Sequence, residues 1–295
     1  MNEEGNIFFS VVIPTYERPD DLRICLNSLS KDIQLGSPSY EIIVTDDSKS
    51  DKSRRMVEKE FPDVSWGKGK QNGPAGNRNA GVDRAKGEWI VFLDDDCIAQ
   101  EGYLNAYAKA IKTNPDNQVF EGRIFADRPR KSLAEGAPIN EDGGLLWTSN
   151  LCIEKDLFGE IGGFNEIFRY AYEDVDLAHR IKKSGYKTKF IPQAAVCHPW
   201  RNNVNSANNW KKNNYDIESL ILYLNIHPEE YKYYPPMLLT KKLLRSFIKI
   251  TLPGIIKYRM EGILFAMVSH IKTVRTMIAV EKNRRKKENS IWSKE

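Results

Sequence analysis

Residues 7 to about 116 alternate short apolar runs with amphipathic stretches. Ile7 to Ile13 is nearly continuous in apolar residues and stops at Pro14, which predicts a strand. Leu22, Cys25, Leu29 and Ile33 then recur at helical spacing, with Pro19 near the helix start. Tyr40 to Thr45 reads as a second strand, and Asp51 to Phe61 as a helix ending before Pro62. Ser65 to Gln71 is a weaker strand. Asn72 to Gly76 forms a turn into a third helix, which Gly87 ends. Glu88 to Leu93 is a strongly apolar strand, followed by a helix from Glu101 to Thr113. This βαβαβαβ series predicts a parallel sheet with helices on both faces.

Beyond residue 116 the pattern loosens. Val119 to Ala126, Leu145 to Ile153 and Tyr186 to Ile191 read as strands, and Glu173 to Ser184 as a helix with Leu177 and Ile181 inward. Gly162-Gly163-Phe164 is a turn. The polar stretch from Asp127 to Gly144 is expected to be a mobile loop, and loops of that length usually serve function. Asn202 to Asn214 is Asn-rich and is expected to be a linker or flexible loop. From Ile217 the chain reads as helices, broken at Pro228, Pro235-Pro236 and Pro253.

Composition changes this picture in two respects. The 295 residues are 41% hydrophobic, enough for one large domain plus an appendage. The net charge of +4 is uneven: Thr240 to Glu288 holds 13 Lys/Arg against three Glu, a local +10 that leaves about −6 elsewhere. Such asymmetry points to a polyanionic surface as partner for the C-terminal segment. Cys25, Cys97, Cys152 and Cys197 form no CxxC pattern, so reduced thiols in a cytoplasmic protein are expected. The opening MNEEGNIFFS lacks the features of a signal peptide, and no apolar run approaches a bilayer span.

The candidate chemistry is acidic and lies at strand ends. Asp46-Asp47 follows the second strand, and Asp94-Asp95-Asp96 follows the Glu88–Leu93 run. In open α/β sheets ligands bind beyond the carboxyl ends of the strands. Carboxylates gathered there repel one another unless a cation or hydrogen-bond donors hold them. The D-x-D of Asp94 and Asp96 suits Mg²⁺ or Mn²⁺, which take oxygen ligands, with phosphate completing the shell. The alternative is a solvated acidic turn. Asp46-Asp47 could take hydrogen bonds from a base or ribose, or simply start an Asx-turn. Arg78, in the helix opened by Gly73-Pro74-Ala75-Gly76, is a candidate anion donor or a plain surface Arg. Glu173-Asp174-Val175-Asp176 lies at a helix start, where acids are favoured anyway, and could instead supply a general base. His198 follows the last strand and could be a metal ligand.

Taken in order, these pieces resemble the family 2 glycosyltransferases of the glycosyltransferase-A (GT-A) fold. The matching segments are Val11-Val12-Ile13-Pro14-Thr15-Tyr16-Glu17-Arg18, Ile43-Val44-Thr45-Asp46-Asp47-Ser48 and Ala75-Gly76-Asn77-Arg78-Asn79-Ala80-Gly81. They continue with Gly87 to Asp96, Gly162-Gly163-Phe164-Asn165-Glu166, Tyr172-Glu173-Asp174-Val175-Asp176-Leu177 and His198. The resemblance implies an α/β Rossmann-like domain over 1–201, with a mixed, mostly parallel sheet. Its nucleotide-binding half would be 1–116 and its acceptor half 117–201. The resemblance does not reach residues 202–295, which charge and spacing alone read as a basic, mainly helical extension. It further implies inverting transfer of a sugar from a nucleotide-diphosphate donor, UDP-linked by family frequency, to a hydroxyl of a glycan or lipid-linked acceptor. Pro14, Tyr16 and Glu17 would border base and ribose, and Asp46 or Asp47 would hold them. Arg78 would lie near the base or diphosphate. Asp94 and Asp95 would complete the nucleotide-sugar site, Asp96 and His198 would hold Mn²⁺ or Mg²⁺, and Asp174 would be the base. The usual Gly after the first Asp pair is missing from Ser48-Lys49-Ser50-Asp51, and the Gln-x-x-Arg-Trp motif of processive synthases is absent.

Three rivals fit less well. A nucleotidyltransferase would carry a Gly-rich basic loop where this chain has Pro14-Thr15-Tyr16-Glu17-Arg18-Pro19. A catalytically silent nucleotide-sugar scaffold would not need Asp96 and Asp174. Nucleic-acid binding by the tail is not expected, because Leu243, Leu244, Phe247, Ile248, Leu252, Ile255 and Ile256 interleave with Lys241, Lys242, Arg245, Lys249 and Lys257. That pattern suits an anionic membrane surface at residues 240–288, and hence a peripheral position at the inner face of the cell membrane. The alternative is that these helices cover the catalytic domain or meet a partner, with Lys and Arg facing water.

Overall fold

The computed structural model describes residues 7–202, 206–234, 241, 244, 245, 247–258 and 263–292. The chain divides into two compact units, one formed by Met1–Asp127, Pro138–Arg169 and Glu173–Pro199, the other by Arg128–Ala137, Tyr170–Tyr172 and Trp200–Glu295.

The first unit is built on an eight-stranded sheet. Its elements in chain order are β1 (Phe9–Thr15), α1 (Pro19–Ser28), β2 (Tyr40–Asp46), α2 (Lys52–Glu60), β3 (Ser65–Lys68), α3 (Pro74–Val82), β4 (Trp89–Leu93), β5 (Ile98–Ala99), α4 (Tyr103–Thr113) and β6 (Val119–Ala126). The two-residue strand β7 (Glu135–Gly136) belongs to the second unit. The first unit then adds β8 (Asn150–Glu154), α5 (Lys155–Glu160), α6 (Glu173–Lys183) and β9 (Thr188–His198). The strand order is β3-β2-β1-β4-β8-β6-β9-β5. Strand β1 pairs in parallel with both β2 and β4, and β2 in parallel with β3. The chain therefore reverses its direction of travel across the sheet at β1, and the carboxyl ends of β1, β2 and β4 open together. Strand β8 runs antiparallel to β4 and β6, and β5 antiparallel to β9.

Side chains alternate between two cores. Phe9, Val11 and Ile13 of β1 with Val91 and Leu93 of β4 pack against Leu22, Cys25, Met56, Tyr103 and Tyr107 from α1, α2 and α4. Val12, Ile43, Ile90 and Phe92 face the other way, onto Ala75, Leu157, Phe158, Leu177 and Ile181 from α3, α5 and α6. Burial on both faces is why these strands are written as continuous apolar runs. Helix α3 lies so close to β1 that a Cβ at Gly81 would fall 2.4 Å from Val12 Cγ1.

The sequence expectations need correction at several places. Strand β9 runs on to His198, so this residue ends the strand instead of following it. The expected strand Leu145–Ile153 begins only at Asn150. The buried carboxylate of Glu121 accepts the backbone N–H groups of Gly144, Leu145 and Leu146 together with Asn140 Nδ2, which takes the donors a ladder would need. The stretch 127–144 contains β7, and Glu135 there is bound by Arg128 at 2.7 Å.

In the second unit β7 pairs antiparallel with β10 (Arg201–Asn202). The expected Asn-rich linker is helical from Ser206, within a helix reaching Ile226. Leu220, Tyr223 and Leu224 of this helix are buried, Asn214 accepts a hydrogen bond from Arg275 at 2.9 Å, and Arg275 lies over the Trp210 ring. Tertiary contact thus overrides the weak helix propensity of asparagine. A 3₁₀ turn (Pro228–Tyr233), a π-helical turn (Phe247–Thr251) and helices Leu252–Tyr258 and Ile263–Trp292 follow. Among the described residues no helix is long and apolar enough to cross a membrane.

Candidate active site

Strand β4 delivers Asp94, Asp95 and Asp96 beyond its carboxyl end, and the three side chains diverge. Asp94 Oδ1 is 2.7 Å from Arg78 Nη2, and its Oδ2 accepts Ser149 Oγ–H at 2.5 Å. The antiparallel register Leu93↔Asn150 brings Ser149 there. Asp95 turns inward to accept Thr15 Oγ1–H at 2.7 Å from the end of β1. Burial pushes the Asp95 carboxyl up to about 6, against the pull of Thr15 and Arg18. Asp96 meets Arg18 Nη1 through Oδ2 at 3.1 Å and His198 Nε2 through Oδ1 at 3.2 Å.

The His198 geometry tests whether a cation fits. Its Nδ1 lies 2.9 Å from the Pro199 carbonyl oxygen, which can only accept, so Nδ1 carries a hydrogen. In a neutral ring Nε2 would then turn its lone pair on the Asp96 carboxylate. The contact is favourable only with a proton between the two atoms or with a cation shared by both. Burial disfavours the charged ring, but the hydrogen bond and charge of Asp96 outweigh it and raise the His198 pKa. A histidine whose outer N–H is fixed by a backbone carbonyl and whose inner nitrogen faces a carboxylate is also the usual arrangement of a metal ligand. Asp96 and His198 therefore fit a divalent ion. Arg18, whose side chain is 50% exposed, already places a positive charge on Asp95 and Asp96 and has room to withdraw into water.

Arg78 is no surface residue. It is 5% exposed and spans Asp94 and Glu173, with Nη1 2.9 Å from Glu173 Oε1 and the guanidinium over the Phe164 ring. One buried cation thereby ties the end of β4 to the start of α6. Its neighbour Asn79 mimics a backbone partner for Phe164, donating to its carbonyl at 2.9 Å and accepting its N–H at 3.0 Å. Arg180 donates to the carbonyls of Ile161 and Gly163 and pairs with Asp176. The turn at Gly162 and Gly163, both at positive φ, is so clamped from two helices.

These ties sort the three acids of α6. Glu173 is held by Arg78, and Asp176, 1% exposed, by Arg180. Asp174 is only partly buried, with Oδ1 accepting the Val175 N–H at 2.8 Å. Burial raises the Asp174 carboxyl, and Arg78 offsets part of the rise.

Around the other strand ends the acids brace loops. Asp46 is 1% exposed and accepts the Ser48 N–H at 2.7 Å, the Asx-turn alternative. Asp47 accepts the Gln71 N–H at 2.8 Å, and burial raises its pKa. Glu17, at φ 54, accepts the N–H groups of Lys49 and Ser50 and the Ser50 hydroxyl. It stabilises the turn that lacks its usual glycine. Pro14 lies in β1 opposite Thr45, and Tyr16 projects into solvent at 55% exposure.

A family model described as glycosyl transferase family 2 matches residues 10–175, more than half of the chain. The chain belongs to glycosyl transferase family 2. The match ends just past Asp174, and His198 lies beyond it. An uncharacterized glycosyltransferase of Haemophilus influenzae is 29% identical over 183 residues, covering 57% of this chain and 59% of that protein. The GalNAc(5)-diNAcBac-PP-undecaprenol beta-1,3-glucosyltransferase of Campylobacter jejuni is 37% identical over 155 residues, covering 46% and 47%. The matches thus span less than two thirds of either relative. The crystal structure of S. aureus TarS 1-349 in complex with UDP superposes with a TM-score of 0.54 at 17% identity, over 95% of this chain and 92% of that one. That likeness shows the GT-A type of fold.

Within this candidate site the structure brings together Asp94, Arg78 and Glu173, and separately Asp96 and His198. Sequence reasoning missed Ser149, Thr15 and Arg18 as partners of the acidic run. Arg18 was visible in the first motif. Ser149 stands 55 residues from Asp94 and had no local signal.

Proposed function

We propose that the chain is a metal-dependent, inverting glycosyltransferase that moves a sugar from a UDP-linked donor to a hydroxyl of a glycan or lipid-linked acceptor. One observation carries the reading: the Arg78 bridge sets the Asp94–Asp96 end of β4 beside the start of α6, where Asp174 is the partly exposed acid. The Campylobacter relative's name, a glucosyltransferase acting on an undecaprenol-linked glycan, and the UDP in the TarS crystals support the choice of substrates.

Asp96 and His198 would hold Mn²⁺ or Mg²⁺, which when bound supplies positive charge for the departing diphosphate. Asp94, held by Arg78 and Ser149, would orient the donor. Asp174 accepts the proton of the attacking hydroxyl. Its raised pKa brings it nearer to neutrality, where a general base works best. Displacement from the face opposite the diphosphate needs no protein nucleophile.

Asp96→Ala tests the cation half. The variant is expected to stay folded, because Arg18 can return to water, and to lose both transfer and Mn²⁺-dependent binding of UDP. Full transfer in excess EDTA would reject the metal-dependent scheme.

The exposed face of the second unit supports a place at a membrane surface. Leu244, Phe247, Ile248, Leu252 and Ile256 are 44–76% exposed, and Lys241, Arg245, Lys249 and Lys257 are exposed beside them. Lys242 and Leu243 lie outside the described residues. Interfacial helices bury such apolar faces, and each basic residue near anionic lipid adds about 1 kcal/mol. The full chain is expected to co-sediment with anionic vesicles at low salt, and a chain truncated after Tyr233 is not. Equal sedimentation with neutral vesicles would remove the electrostatic argument.

A further inference from the structure

The cation site contains a third donor that the proposed mechanism leaves unused. Strands β5 and β9 pair antiparallel in the register Ile98↔Cys197 and Ala99↔Val196. One step outward sets Cys97 opposite His198, and opposed residues of an antiparallel pair share a face. The Cys97 sulfur, a His198 ring nitrogen and an Asp96 carboxylate oxygen all lie within 4.8 Å of one another. All three residues are buried, Cys97 completely.

We propose that Cys97 is a third protein ligand of this site, and that the site therefore takes thiophilic Zn²⁺ more tightly than Mn²⁺ or Mg²⁺. The inference rests on the reading that Asp96 and His198 hold a divalent ion. Oxygen, nitrogen and sulfur donors together suit Zn²⁺, whereas Mg²⁺ and Mn²⁺ favour carboxylate, carbonyl and water. A tetrahedral ion with bonds of about 2.0–2.3 Å spaces its ligands some 3.5 Å apart, so from a separation of at most 4.8 Å the sulfur need close by no more than about 1.3 Å. Asp96 and His198 are already 3.2 Å apart. On binding, a sulfur–zinc bond forms, the thiol proton passes to the buffer, and nothing is oxidised or reduced. A hard ion would leave the thiol intact and use only the carboxylate and imidazole.

The test uses the full chain, stripped of metal and titrated with Zn²⁺, Mn²⁺ or Co²⁺ alone, without nucleotide. Cys97→Ser is expected to weaken Zn²⁺ binding by on the order of 10²-fold and Mn²⁺ binding by less than about threefold. Co²⁺ bound to the unaltered protein should show a near-ultraviolet thiolate-to-metal absorption that Cys97→Ser removes. Cys97→Ala gives the same readout should serine disturb the buried site. Zn²⁺ affinity unchanged in both variants, or no thiolate absorption in the unaltered protein, overturns the proposal while leaving Asp96 and His198 as ligands. Zn²⁺ and Mn²⁺ binding unaffected by Asp96→Ala and His198→Ala overturns the underlying cation site as well.

Discussion

Asp174→Asn is expected to lower kcat by on the order of 10²–10⁴, the usual size of a general-base contribution, with donor binding nearly intact. The amide keeps the shape of the carboxylate and can still accept the Val175 N–H, so the start of α6 should hold. What disappears is the capacity to take the acceptor's proton. The measurement is steady-state transfer alongside calorimetric binding of UDP with Mn²⁺. An unchanged kcat would move the role elsewhere, and the structure disfavours both neighbours, since Glu173 is engaged by Arg78 and Asp176 by Arg180. The same assay reads stereochemistry. A product that keeps the donor's anomeric configuration would reject direct displacement altogether.

The second large effect is expected on stability. Arg78→Met should cost about 3–5 kcal/mol, the range for removing one partner of a buried ion pair and leaving its counter-charges uncompensated. Two carboxylates, Asp94 and Glu173, lose their cation together, and Asp174 loses the charge that holds its pKa down. Burial already raises the Glu173 carboxyl, and Arg78 is the largest opposing influence. Without it the folded state binds protons at Glu173 and Asp174 more strongly than the unfolded chain does. The variant's deficit should therefore grow as pH rises through the raised range and shrink in acid. Urea melts at several pH values measure this directly. Arg78→Lys should recover only part of the loss, because one ammonium cannot reproduce the two-armed bridge between β4 and α6. A pH-independent loss below about 1 kcal/mol would show that water re-solvates these carboxylates and that the bridge is dispensable.

Much of the fold was legible beforehand because it depends on local pattern. Strands covered on both faces must be apolar at every position, and β1, β2 and β4 announce themselves that way. Their order along the chain, with helices between, leaves few topologies besides a parallel sheet opening at the carboxyl ends. The acidic groups after β2 and β4 were visible for the same reason, since charged residues directly after buried strands have few places to go.

Other features depended on partners far away in sequence, and local pattern holds no record of them. Asn-rich residues 206–214 became helix because the stacking of Arg275 on Trp210 and its hydrogen bond to Asn214 outweigh the poor propensity. Leu145 and Leu146 left the strand because Glu121 takes their backbone N–H groups. Arg78 could be read as a ligand donor or a surface residue until the fold buried it between two carboxylates from β4 and α6.

The amino-acid sequence by itself thus determined the sheet, the family and the set of acids from which a catalytic base and a cation site could be drawn. Tertiary structure decided which acids are engaged by a buried or half-buried cation. Glu173, Asp174 and Asp176 are chemically near-equivalent in the sequence, and they differ only because Arg78 and Arg180 neutralise two of them. Likewise the juxtaposition of Asp96, Cys97 and His198 exists only through the β5–β9 register. The physical reason is one of range: burial patterning acts residue by residue along the chain, whereas the fate of a carboxylate is set by whichever charge the fold brings within about 4 Å of it.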